Sequence, residues 1–288
     1  MKPDRRILLI GAVVITASAI IMGLREDRRP EKSGGACCAL FANPVATPLL
    51  AETSMPGNGG SVAATATTDR FFPDWAAQAK FNQPVRVRDT ESAVGRLSAE
   101  SKEIGLKDLA RMHGHLCDGL VISFVELKAA LLRLFPDGVV DRTDLRVISK
   151  NGPCWVDTAA WLTGARINFQ TLRVDAAVGD GFIIQKISTG ETWEVRLKAG
   201  VFPEPQAALE NRIRDLRAAG QPVNASDVDR FEAMANDLIR HLLNTPPSEL
   251  LVLTARPAYR FQFNDLYGGR GDIINRDLQP LPAATNHN

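Results

Sequence analysis

Between residues 118 and 135 the apolar positions Leu120, Val121, Phe124, Leu127, Leu131 and Leu134 recur at helical spacing. That spacing gathers them on one face of an α-helix, and Pro136-Asp137-Gly138 stops it. The same periodicity predicts a short helix over 101–112, a strand over 145–149 and a helix over 155–163 ended by Gly164. Strand-like runs follow at 172–176, 182–187 and 192–197, with Gly-containing turns between them. Beyond Pro205 the pattern predicts helices over 206–219 and 226–243, then strands over 250–254 and 259–263. Helix, strand, helix and three strands is an α+β order, without the regular alternation of a doubly wound sheet. The later helices and strands form a C-terminal extension of it.

The other strong hydrophobic signal is the uninterrupted apolar run 7–24, flanked by Arg5-Arg6 and by Arg25-Glu26-Asp27-Arg28-Arg29. Eighteen residues rise roughly 27 Å as a helix, close to the hydrocarbon thickness of a bilayer. A cleavable signal peptide is the rival, with Ala17-Ser18-Ala19 as its site, but Ile20-Ile21-Met22 carries the run past it. We read 1–29 as an N-terminal transmembrane signal anchor and 30–69, rich in Gly, Ala, Ser, Thr and Pro, as a flexible linker. The domain then occupies 70–276, with its core at about 105–200, and 277–288 is a tail. A short N-terminus before one span places the domain outside the cytoplasm, in a periplasm or its equivalent. Cys37 and Cys38 lie in the linker and receive no role.

Charge excludes one class of partner. Lys and Arg number 34 against 33 Asp and Glu, and no basic stripe stands out, so nucleic acid is not expected. Two cysteines beyond the linker are too few for a disulfide scaffold.

Chemistry concentrates in the run His113-Gly114-His115-Leu116-Cys117-Asp118-Gly119-Leu120, answered by Cys154-Trp155-Val156-Asp157. Half of the four histidines and half of the four cysteines fall in these two stretches. Imidazole and thiolate are ligands suited to zinc and its neighbours. Each cysteine precedes a predicted helix, where free amides and the dipole favour the thiolate. His113 and His115, two apart on a segment read as extended, would point the same way. The candidate ligands of one transition-metal ion, zinc by expectation, are therefore His113, His115, Cys117 and Cys154. A Cys117–Cys154 disulfide is the alternative in an oxidising compartment. Asp157 is either a carboxylate serving its helix dipole or one that orients a ligating imidazole.

These motifs resemble the FmdE family, whose name comes from a protein encoded with the molybdenum or tungsten formylmethanofuran dehydrogenases. The resemblance rests on His113, Gly114, His115, Cys117, Gly119, Cys154, Val156, Asp157, Thr163 and Gly164, and covers about 105–200, with the run Pro-Pro-Ser-Glu-Leu-Leu-Val-Leu at 246–253 as a candidate extension. It implies an α+β domain of helix, strand, helix and three strands with a mixed sheet, and a metal site at the histidine and cysteine positions. The chain departs from many members in having Ala165 after the Thr-Gly pair and no cysteine after Cys154. The functional expectation is a membrane-tethered, metal-binding domain serving a redox, one-carbon or metal-handling system as accessory or metal-dependent component. A thiol–disulfide protein using Cys117 and Cys154, or a purely structural accessory, are the alternatives. A membrane-associated redox complex and a second copy of the chain are the partners left open.

The remaining features read more plainly. Trp155 and Trp161 are expected in the core, and Asn224 as a helix cap ahead of Ala225-Ser226. His241 reads as a charge near a helix C-terminus, and Arg270-Gly271-Asp272 as a turn. His287 lies in the tail without a role.

Overall fold

The computed structural model describes residues 71–262 and 274–278. Its elements in order are α1 (Asp74–Ala77), β1 (Val85–Arg88), β2 (Lys102–Ile104), α2 (Leu106–His113), α3 (Asp118–Leu134), β3 (Val139–Asp141) and β4 (Leu145–Ser149). There follow α4 (Pro153–Thr163), β5 (Leu172–Val174), β6 (Phe182–Lys186), β7 (Thr192–Leu197), α5 (Glu204–Ala218), α6 (Ala225–Asn244), α7 (Pro247–Leu250) and β8 (Leu251–Ala255). The five-stranded sheet has the order β5-β4-β6-β7-β8, with β4 and β5 parallel and the other pairs antiparallel. It is the mixed sheet of an α+β fold.

Helix α3 forms the axis of the core. Leu120, Phe124, Leu127 and Leu131 are fully buried, packing with Val147, Phe182, Ile184 and Val195 of the sheet and Leu238, Ile239 and Leu242 of α6 in one cluster. Burying each such side chain contributes about 1.5–3 kcal/mol, so the apolar stripe dictates where α3 sits. Period-two alternation in β6 sends Phe182 and Ile184 into this cluster and Ile183 to the opposite face. There Ile183, Ile148 and Val178 form a smaller cluster capped by Tyr259 and Phe261.

Several expected elements change. The helix read over 101–112 begins as β2, and α2 starts only after Gly105, whose N–H donates to the Asp108 carboxylate (2.9 Å). No strand forms over 259–262, although Tyr-Arg-Phe-Gln alternates like one. Ala258 adopts a left-handed φ of 56° that turns the chain out of β8. Tyr259 then stacks edge-on against Phe261 (5.3 Å) instead of entering a ladder. A second sheet, β2-β1-β3, was not expected, its strands being three or four residues long. Trp161 is 40% exposed, whereas Trp155 is buried. Six residues turn a helix by about 240°, so the two indoles cannot share a face. Asn224 does cap α6, accepting the Ser226 N–H (3.1 Å).

The apolar run 7–24, the linker with Cys37 and Cys38, the Arg270-Gly271-Asp272 turn and His287 lie outside the described residues. Among the described residues no helix is long and apolar enough to cross a membrane.

Candidate metal centre

Three helix ends bring the four predicted residues into one neighbourhood. His113 is the last residue of α2, Cys117 caps the N-terminus of α3, and Cys154 lies in the first turn of α4, behind Pro153 at its start. The segment carrying the histidines is not extended as expected. Gly114 takes a left-handed φ of 101° at the end of α2, a conformation glycine adopts without the penalty other residues pay. That turn brings the two imidazoles together, with ring centroids 4.8 Å apart.

Cys117 Sγ and Cys154 Sγ are reduced thiols 3.6 Å apart. His113 Nε2 lies 3.8 Å from Cys117 Sγ and 3.7 Å from Cys154 Sγ. Ligand atoms of His113, His115 and Cys117 all fall within 4.8 Å of one another, so the cluster could hold a metal ion. Tetrahedral zinc, with Zn–S about 2.3 Å and Zn–N about 2.0–2.1 Å, separates two sulfurs by about 3.8 Å and sulfur from nitrogen by about 3.6 Å. The triangle of Cys117, Cys154 and His113 has these edges to within about 0.2 Å. The donor set fits as well, since two thiolates and an imidazole suit a borderline divalent ion. The His113 side chain is 3% exposed, and His115 stands in solvent at the outer side.

Neighbouring residues fix this arrangement. Asp157 Oδ2 lies 2.8 Å from His113 Nδ1, a contact that favours a proton on that nitrogen and turns Nε2 toward the two sulfurs. Because α4 begins at Pro153, Asp157 sits beyond its first turn, where a dipole role is weak. The Ser123 hydroxyl, fully buried, bridges α3 to α4 through the Cys154 carbonyl (3.2 Å) and the Thr158 hydroxyl (2.7 Å). Gly119 is closely packed: a Cβ there would stand 3.0 Å from Cys154 Sγ and 3.4 Å from the Trp155 ring, so the thiol would have to shift. At the far end of α4, Gly164 adopts a left-handed φ of 68° and the Arg142 guanidinium donates to the Trp161 carbonyl (2.9 Å). His241 lies away from the cluster, on α6, 3.3 Å from the Thr245 hydroxyl.

Sequence reasoning missed two buried acids beside the cluster. Asp118 follows Cys117 directly, and its carboxylate accepts the Gly119 N–H (2.8 Å) and the Gln206 amide (2.6 Å). Glu126, two turns further along α3, accepts the Trp155 indole N–H (3.1 Å) and the Leu197 N–H (2.9 Å). Burial raises the pKa of both, that of Glu126 to about 8. The available signal was weak: an acid in the middle of an otherwise apolar helix.

Residues 112–252 match the model of a protein family described as FmdE, Molybdenum formylmethanofuran dehydrogenase operon. This stretch of the chain is an FmdE-like domain. It runs from the end of α2 to the start of β8 and so contains β4, β5, β6 and β7 of the five-stranded sheet and the four residues of the cluster. The match extends past residue 200, and β8 pairs with β7 inside the main sheet. No curated protein matches the chain.

Proposed function

We propose that the FmdE-like domain is a metal-centre module, in which His113, Cys117 and Cys154 bind one transition-metal ion, zinc by donor preference. The observation that carries this reading is the triangle of 3.6, 3.7 and 3.8 Å among the two sulfurs and His113 Nε2. His115, exposed, takes the fourth corner, which is the one open to exchange with water or substrate. A metal held there supplies a Lewis acid and a bound water of lowered pKa. The chain's own contribution is to hold two thiolates at helix N-termini, to fix the His113 tautomer through Asp157, and to bury three of the four corners. In this reading the domain is the metal-dependent component of its system, and the apolar run 7–24 tethers it to a membrane with the domain on the extracytoplasmic side.

Cobalt(II) substitution tests the ligand set. The protein loaded with one equivalent of cobalt is expected to show thiolate-to-metal charge-transfer absorption, diminished in both Cys117→Ser and Cys154→Ser. A cobalt spectrum without thiolate bands, or one unchanged in both variants, contradicts the assignment. The 3.6 Å approach of two reduced thiols supports a second reading, a dithiol that cycles to a disulfide. Thiol counting on natively purified protein separates the two, because the metal centre keeps both cysteines reduced.

A further inference from the structure

A cavity of about 420 Å³ opens beside α3, lined in part by Gly119, which also abuts the Cys154 thiol. That volume lies in the range of small-molecule sites. Ile122, Trp155, Leu197 and Phe202 supply apolar walls, and Asp118 and Glu126 line it as buried acids. The basic side chains around it are already engaged. Lys150 Nζ lies 2.6 Å from Asp180 and over the Trp155 ring, Arg196 pairs with Glu194, and Lys198 donates to the Ser248 carbonyl (2.7 Å). The acid Glu210 is likewise engaged, by Arg214 (2.6 Å). Asp118 and Glu126 differ from all of these: the hydrogen bonds they accept come from neutral N–H groups. Lys150 is the cation whose field reaches Glu126, and Asp180 opposes it. Beside Asp118, the Oε1 of the fully buried Gln206 has no hydrogen-bond partner. The polar groups at this end of the cavity are therefore acceptors, two of them acids that no salt bridge among the described residues neutralises.

We propose that this cavity is a binding site for a small organic cation, an ammonium or amidinium group carried on an apolar body. The cationic head donates to the acceptor-rich end at Asp118 and Glu126, and the apolar body lies against Ile122, Trp155, Leu197 and Phe202. Glu126, protonated while the cavity is empty, releases that proton to solvent when a ligand's cation takes its place, and hydrogen bonds to charged groups are worth about 1.5–3 kcal/mol. The site does not depend on the His113/Cys117/Cys154 cluster holding metal. Gly119 belongs to the edges of both, so a bound ligand would lie beside the cluster.

The test is calorimetric titration of the full chain with three probes of similar shape: 2-phenylethylammonium, the neutral 2-phenylethanol and the anionic 3-phenylpropanoate. The ammonium is expected to bind at least about ten-fold more tightly than either of the others, the equivalent of one such hydrogen bond. A tryptophan at the exposed, cavity-lining position, Ala199→Trp, is expected to weaken it by about the same factor, as is Glu126→Gln. The comparison of probes on the unmodified protein, together with A199W, decides the matter even if E126Q folds poorly. Equal or tighter binding of 3-phenylpropanoate would overturn the proposal in favour of an anion site at Lys150, Arg196 and Lys198. Equal binding of 2-phenylethanol, no binding of any probe, or ammonium binding unaltered in A199W would overturn it as well.

Discussion

Raising the pH from about 4.5 to about 8 is expected to cost the protein roughly 5 kcal/mol of stability that a Glu126→Gln variant does not lose. The cause is the complete burial of Glu126 on α3, which lifts its pKa from 4.5 to about 8. The Trp155 indole, the Leu197 N–H and the Lys150 charge favour the carboxylate, and Asp180 opposes it, but burial outweighs them. The folded protein therefore holds this proton across a window in which the unfolded chain has released it. Stability from this group is fully present below about pH 4.5, falls by about 1.4 kcal/mol per unit above that, and levels off beyond pH 8. Glutamine cannot ionise, but its NH2 cannot accept, so one of the two N–H donors loses its partner at a cost of about 1–3 kcal/mol. The two stability curves are thus expected to cross, wild type above at acid pH and E126Q above at alkaline pH. Denaturant unfolding of both proteins across this range measures it, and parallel curves would show that Glu126 ionises freely in the fold.

The second large effect concerns Asp157. Its 2.8 Å contact with His113 Nδ1 sets which imidazole nitrogen faces the sulfurs. Asparagine there removes the negative charge and can present an N–H where His113 needs an acceptor. Such outer carboxylates typically contribute about 10–100-fold to metal affinity, and a loss of that size is expected for Asp157→Asn in competition with a chelator. Its side chain is one-third exposed, so the fold itself is expected to remain intact. An unchanged affinity would return Asp157 to a surface role.

How much of this was readable from the chain differs by element. The α3 stripe was legible because burial on one face leaves a 3.6-residue signature, and all six of its marked residues are buried. The cluster was half legible. The motif residues and their helix-terminal positions could be read, but the meeting of Cys117 with Cys154 depends on how α3 packs against α4. That packing rests on Gly119, Ser123 and Thr158, which are small residues without a periodic signal. The β1 strand left a trace in the alternation Val85-Arg86-Val87-Arg88, which is too short to stand out from a loop. Tyr259 and Phe261 misled for a physical reason: alternation marks a residue pair that buries one face, and here the aromatic pair buries it without a strand. Glu126 stayed hidden because composition says nothing of how deep a helix lies.

Whether His113, Cys117 and Cys154 hold a metal ion is decided by elemental analysis of protein purified natively, without added metal or a histidine tag. About one equivalent of a single transition metal per chain is expected, lost in both Cys154→Ser and His113→Ala while the folded state persists. Protein without metal, or metal retained in both variants, would contradict the assignment of these residues as ligands.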